Sequence, residues 1–315
     1  MENDVKKTFV INGGAGRVIS AVPALEKYTR LNPEKDFNVV VHGWESLYWS
    51  HPLLQNRTYG IHNKGIFEQV FKPTETVCPE PYFIHGYYNQ DLSMAEAFDQ
   101  EINQTNNHSD LGKPNLFISS LERNTVRSII TEAREKKKKS YSVVIQPYGS
   151  TMQIVNNRPY DKSQRSMDVD QYLELARRLS EYAVVYYFGP PELRHPQDTF
   201  SEDLKDFNPD LRMFMSLISE SDYFVGCDSV GQHMARAFDK PGTILMGSTF
   251  EKNVSYPDHF NFFRKMGQEP VYNPIRFGGV DSDLIDRLND DIMLLPVDEL
   301  NQFIGFICTD LTVSD

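Results

Sequence analysis

Asp228, Ser229, Gly231 and His233 lie close together in the segment CDSVGQH, directly after the β-prone run Tyr223-Phe224-Val225 and at the start of a stretch, Gln232 to Phe238, that can wind into a helix. A carboxylate and a hydroxyl at a strand-to-helix junction stand where the unpaired N–H groups of the first helical turn face outward, and that is a place for an anion. Ser229 serves equally well as a helix N-cap, and His233 as a half-buried histidine with its hydrogen bond satisfied. Thr243 to Met246 is apolar again, so 222–249 reads as a βαβ unit. Parallel-sheet proteins bind ligands at the carboxyl ends of such strands.

A second junction of this kind opens the chain. Phe9-Val10-Ile11 runs into Asn12-Gly13-Gly14-Ala15-Gly16-Arg17, after which Val18, Ile19, Val22, Leu25 and Tyr28 recur at helical spacing. Gly14 and Gly16 let the backbone approach a ligand closely, and Arg17 adds a guanidinium that holds a phosphate or carboxylate through two parallel hydrogen bonds. Pro23 should kink or delay the helix. Phe37 to Val41 supplies the next strand, and Trp44, Tyr48 and Trp49 form an aromatic cluster suited to packing.

The elements that position these residues alternate. A charged amphipathic helix from Thr125 to Lys139 leads to an apolar strand in Ser142–Ser150, and the domain boundary is placed near 140. Asp168 to Tyr182 reads as an amphipathic helix and Ala183 to Phe188 as its following strand, ending in Gly189-Pro190-Pro191-Glu192, where a carboxylate and backbone amides suit a ribose. Leu211 to Ile218 is a further helix, and Val297 to Ile307 a last one, expected to pack back toward the first domain. Between 55 and 115 the pattern is irregular, with β-prone pieces at Phe67–Phe71 and Tyr82–Ile84 and a helix within Asp91–Gln104. The basic run Arg134 to Lys139 reads as a solvated helix end that complements the helix dipole.

The 315 residues favour two domains, and 40% hydrophobic with 24% charged residues fits a soluble globular protein. No apolar run is long enough to span a bilayer, and the first residues are too polar for a signal peptide, which points to the cytoplasm. Cys78, Cys227 and Cys308 are far apart and make neither a disulfide framework nor a zinc cluster. The net charge of −12 disfavours a surface devoted to nucleic acid.

GGAGRVISAVPALEKYTRLNP and CDSVGQHMARAFDKPGTILMGST together resemble the two signatures of glycosyltransferase family 9, the ADP-heptose:lipopolysaccharide heptosyltransferases, and RSMDVDQYLELARRLSEYAVVYYFGPPE resembles the helix, strand and acidic turn between them. The resemblance implies an α/β chain of the GT-B class, two Rossmann-like domains (1–140 on the acceptor side, 141–315 for the nucleotide sugar) facing each other across an interdomain cleft. It implies an inverting, metal-independent transferase with no cofactor beyond a nucleotide-diphosphate sugar as donor substrate. Carried over by position, Arg165 takes the place of a basic residue on the donor phosphate and Glu192 that of the acidic residue on the ribose. Asp228, Ser229, Val230, Gly231 and His233 match the loop around the diphosphate and sugar, with Val230 where the family has glycine.

The larger departure is Arg17, which stands where the family carries an aspartate as its proposed catalytic base. An arginine cannot take a proton from a hydroxyl. Arg17 is therefore expected to hold a substrate anion, and the base to come from elsewhere in the first domain, with Asp91 preferred over His85 and Glu45. The acceptor is a hydroxyl on a glycan, a lipopolysaccharide core or a hydroxymethylated DNA base. The alternative is a non-catalytic nucleotide-sugar-binding protein of the same fold.

Overall fold

The computed structural model describes residues 6–156, 158–161, 163–193, 211–270 and 291–313. The chain divides into two compact units, 1–119 and 120–315. Each is built on its own sheet of parallel strands.

In the first unit, β1 (Lys7–Ile11), β2 (Phe37–Val41), β3 (Thr58–Gly60) and β4 (Glu75–Val77) lie in the order β3-β2-β1-β4, with Phe9 in register with Val39 on one side and Val77 on the other. β2 is buried along its whole length, which is why it reads as an apolar run rather than an alternation. Its one polar residue, Asn38, donates to Thr8 Oγ1 on β1 at 3.3 Å. After β1 the helix breaks at Ala21 into α1 (Ala15–Ser20) and α2 (Val22–Leu31), and Pro23 falls in the first turn of α2, where a missing N–H costs nothing.

Two β-prone segments turned out otherwise. Phe67–Phe71 is a π-helical turn closed by Lys72 N–H to Phe67 C=O at 2.8 Å, and Tyr82 lies in a 3-10 turn, Pro81–Phe83, that runs into α3 (His85–Tyr88). Both close their backbone bonds locally and leave Phe67 and Phe83 exposed, so aromatic content signalled a strand that has no partner. The expected helix within 91–104 is α4 (Met94–Asn103), begun by a capping box between Ser93 and Glu96. Lys27 of α2 reaches the fully buried Asp99 of α4 at 3.0 Å.

In the second unit, β5 (Tyr141–Gln146), β8 (Ala183–Tyr187), β9 (Tyr223–Cys227), β10 (Gly242–Leu245) and β11 (Asn261–Phe263) are ordered β11-β10-β9-β5-β8. A separate hairpin joins β6 (Gln153–Val155) and β7 (Arg158–Tyr160). Helix α5 (Ser120–Lys137) packs on α7 (Leu211–Glu220), β8 and β5, so the division between units falls one helix before residue 140. Arg134 of the basic run is tied to Asp222 and to Ser142 Oγ rather than left to solvent. Helix α6 (Val169–Leu179) is capped by Asp168, whose Oδ1 accepts from Asp170 N at 2.9 Å. The last helix, α9 (Val297–Val313), buries Phe303, Ile304, Ile307 and Leu311 in one core with Tyr172, Leu175, Leu179 and Val225.

Candidate functional site

β5 and β9 are parallel neighbours, with Gln146 in register with Gly226, so their carboxyl ends open side by side. Helix α8 (Val230–Ala237) starts there, with Ser229 as its N-cap residue in extended conformation. The Ser229 hydroxyl makes no capping bond. Gln146 performs that task, accepting from Gly231 N through Oε1 at 2.8 Å and donating from Nε2 to Ser229 Oγ at 3.0 Å. Ser229 accepts in that bond, and its own O–H is left to donate. The close approach also explains the glycine: a Cβ on Gly231 would lie 2.4 Å from Gln146 Oε1 and 2.6 Å from Phe224 Cζ. Position 231, rather than the Val230 before it, is where the packing demands a glycine.

Asp228 is buried beneath this turn. Its Oδ1 accepts from Gln232 Nε2 at 2.8 Å and its Oδ2 from Thr249 Oγ1 at 2.9 Å. Burial pushes its carboxyl above the usual range, against the opposing pull of the Arg165 guanidinium, 3.9 Å away. Arg165 is itself directed, through Nε to Ser163 Oγ at 2.8 Å and Nη1 to the Asp228 carbonyl at 3.4 Å. Asp161 organises the same loop: it accepts from Thr151 Oγ1 at 2.8 Å, from the Ser163 amide at 2.8 Å and from Ser166 Oγ at 2.5 Å. These bonds and Arg165 hold its carboxyl below the usual range despite burial, the largest single influence, which acts the other way.

His233 sits one turn along α8. Burial lowers its pKa to about 4, so the ring is neutral, and Nδ1 meets the Tyr256 hydroxyl at 2.9 Å. Glu192 occupies a different place. It is exposed on the 3-10 turn Pro191–Leu193 and lines a cavity of about 350 Å³ with Asn156, Arg158, Val169, Asp170 and Leu173. No hydrogen bond among the described residues ties it to Arg165 or Asp228.

In the first unit, Gly14 is the N-cap residue of α1 and Gly16 lies in its first turn. Arg17 is 8% exposed. Its Nη1 donates to Glu80 Oε1 at 2.7 Å, its Nη2 to the Pro79 carbonyl at 3.1 Å, and its guanidinium carbon lies 5.0 Å and 5.3 Å from the Tyr82 and Phe98 ring centres. The group expected to grip a substrate anion therefore grips a carboxylate of its own unit. Asp91 is exposed in the turn after α3, and His85 is exposed with Asn89 Nδ2 3.0 Å from its Nδ1. Glu45 is half-buried on the 3-10 turn Glu45–Tyr48, and its Oε2 is buried with no hydrogen-bond partner.

Gln146, Asp161 and Glu80 did not stand out in the sequence. Gln146 had one visible sign, a polar residue ending an otherwise apolar strand. The other two lie in irregular chain, where only the folded structure brings them to their partners.

Among the described residues no group of three or more His, Cys, Asp and Glu is placed to hold a metal ion, and no helix is long and apolar enough to cross a membrane. No protein-family model matches the chain, and no curated protein matches it. Solved structures do. A glycosyl transferase of family 9 from Veillonella parvula aligns over 100% of this chain and 99% of its own with a TM-score of 0.66 at 10% identity. The E. coli ADP-heptose lipopolysaccharide heptosyltransferase II covers 96% of this chain and 99% of its own, with a TM-score of 0.58 at 14% identity. The E. coli heptosyltransferase WaaC with ADP-2-deoxy-2-fluoro heptose covers the same shares, with a TM-score of 0.56 at 12% identity. The chain has the fold of the family 9 glycosyltransferases, two Rossmann-like α/β units of the GT-B class.

Proposed function

We propose that the protein is an inverting glycosyltransferase that moves a sugar from a nucleotide-diphosphate donor to a hydroxyl acceptor. The observation that carries this reading is the polar cluster of Arg165, Asp228 and Ser229 around the start of α8, at the carboxyl ends of β5 and β9. A departing nucleoside diphosphate needs its growing charge met by fixed donors. A guanidinium, a hydroxyl and the first amides of a helix provide them, and no metal is required for that. In the step itself the acceptor oxygen bonds to the anomeric carbon from the face opposite the leaving group, and the bond from that carbon to phosphate oxygen breaks. The electron pair goes to the diphosphate and the hydroxyl proton to a base.

Within this reading the second unit holds the donor, with Glu192 on the ribose and Gly231 and His233 shaping the sugar pocket. Gly14 and Gly16 of the first unit join the donor-binding residues, and the remainder of that unit serves the acceptor. A glycan or lipopolysaccharide-core hydroxyl fits the net charge of −12 better than a hydroxymethylated DNA base does. The heptosyltransferases that share the fold act with ADP-heptose, which makes that sugar the first donor to try, and a cytoplasmic setting supplies such nucleotide sugars.

A second reading is favoured by one observation: Arg17, ion-paired to Glu80, stands where the resemblance implies a catalytic carboxylate. On that reading the chain binds a nucleotide sugar and does not turn it over. Incubation with ADP-heptose, UDP-glucose and GDP-mannose, with and without EDTA and over an acceptor panel, separates the two. Release of nucleoside diphosphate, insensitive to EDTA, supports the transferase; micromolar binding with no consumption supports the binding protein.

A further inference from the structure

We infer that Glu80 is the carboxylate that takes the proton from the acceptor hydroxyl, and that Arg17 is the residue that positions it. This rests on the transferase reading. β1 and β4 are parallel neighbours, and the two residues follow their carboxyl ends: Arg17 on α1 beyond the glycine loop, Glu80 just beyond β4. In a parallel sheet that edge is where ligands bind.

The pair is lopsided. The Arg17 side chain is 7% exposed and that of Glu80 23%. Guanidinium and carboxylate do not meet fork to fork, as a pair built for mutual neutralisation does. Only Glu80 Oε1 is engaged, by Arg17 Nη1 at 2.7 Å and by the Tyr82 amide at 3.3 Å, while the second arm of the guanidinium goes to the Pro79 carbonyl. Oε2 accepts no hydrogen bond among the described residues. Arg17 in turn is held by its Pro79 bond and by the Tyr82 and Phe98 rings, whose centres lie 5.0 Å and 5.3 Å from its guanidinium carbon. The result is a half-open carboxylate with one oxygen pinned and one available.

Its competitors in the first unit fare worse. Asp99 is fully buried and engaged by Lys27, Asn103 and His108. Glu26 accepts from Asn115 with both oxygens. Glu45 hides Oε2 from solvent, and Asp91, though open, has no described hydrogen bond to aim its carboxylate. Of these carboxylates, Glu80 is the one that is both aimed and accessible.

The proton passes from the acceptor O–H to Glu80 Oε2 as the new carbon–oxygen bond forms and the diphosphate departs with the electron pair of the broken bond. A hydroxyl nucleophile and a carboxylate base complete the balance with no further reagent.

The test uses the nucleotide sugar, of the three named above, that the wild-type protein consumes, followed by release of its nucleoside diphosphate. A wild-type protein that consumes none fails the transferase reading before any variant is made, so the two failures are distinct. Glu80→Gln should lower turnover about 100- to 10,000-fold with donor affinity unchanged, and Glu80→Asp should regain part of the loss. Glu80→Gln also leaves a buried arginine unpaired, so the double variant Arg17→Met, Glu80→Gln, which removes both charges, separates chemistry from folding. It should remain as slow as Glu80→Gln. Turnover near wild type in Glu80→Gln, recovery in the double variant, or a loss confined to Asp91→Asn overturns the assignment.

Discussion

Gln146, the last residue of β5, holds Ser229 Oγ at 3.0 Å and the Gly231 amide at 2.8 Å, so one side chain at the end of that strand fixes both the hydroxyl and the helix start that face the proposed diphosphate. Gln146→Ala leaves a buried N–H without its partner, which costs about 1–3 kcal/mol. Thermal unfolding should show that loss. Ser229→Ala takes the acceptor from the buried Gln146 Nε2 and, by the same argument, should also cost about 1–3 kcal/mol.

Gly231 is set by volume. With Gln146 Oε1 and the Phe224 ring inside 3 Å of a new Cβ, Gly231→Ala forces both to shift and should destabilise the protein by about 1–3 kcal/mol. Val230→Ala, at the half-buried first position of α8, should stay within about 1 kcal/mol of wild type in the same denaturation series. Equal losses at the two positions would contradict the assignment of the glycine requirement to 231.

His233 predicts an acid limb of stability. Its folded-state pKa, about 4, lies below the unfolded value, so between the two the unfolded chain binds a proton that the folded one refuses. Stability is therefore held above the unfolded pKa, near 6.5, and lost as pH falls toward 4, by about 3 kcal/mol at most. His233→Gln should flatten the stability–pH profile across that window. An unchanged profile would show that the ring is not buried neutral.

Asp228 works in the opposite direction. Its folded-state pKa is raised by burial, so its cost is absent below the unfolded value and grows as pH rises through the folded one. An amide keeps the Gln232 contact and can donate to Thr249. Asp228→Asn should accordingly match wild type in strong acid and exceed it in stability at neutral pH, as measured by denaturant midpoints at paired pH values.

Periodicity made the inner strands of the two sheets legible because these are buried on both faces and their helices carry one apolar stripe, as in Phe37–Val41 and Val169–Leu179, whereas the short, partly exposed strands Thr58–Gly60, Glu75–Val77 and Asn261–Phe263 gave no such run. It failed at Phe67–Phe71 and Tyr82, where aromatic residues sit in single helical turns, and no pattern of period two existed to be read. It also missed the boundary, since nothing in the helix Ser120–Lys137 reveals which sheet its apolar stripe covers. The turn at Asp228–Gly231 was visible as a motif because its residues are consecutive. The Arg17–Glu80 and Gln146–Ser229 pairs were not, because each joins residues more than sixty positions apart.

The central claim, that the turn at Ser229 with Arg165 receives a nucleoside diphosphate, is tested most directly by calorimetric titration of ADP-heptose into wild type, Arg165→Ala and Ser229→Ala. Loss of one charge-assisted contact removes about 1.5–3 kcal/mol, or roughly 10- to 150-fold in affinity. Wild-type binding with a drop of that size in Arg165→Ala, and a smaller drop in Ser229→Ala, each measured well below the variant's melting temperature, is the expected result. Unchanged affinity in both variants, or no binding of ADP-heptose, UDP-glucose or GDP-mannose by the wild-type protein, would contradict it.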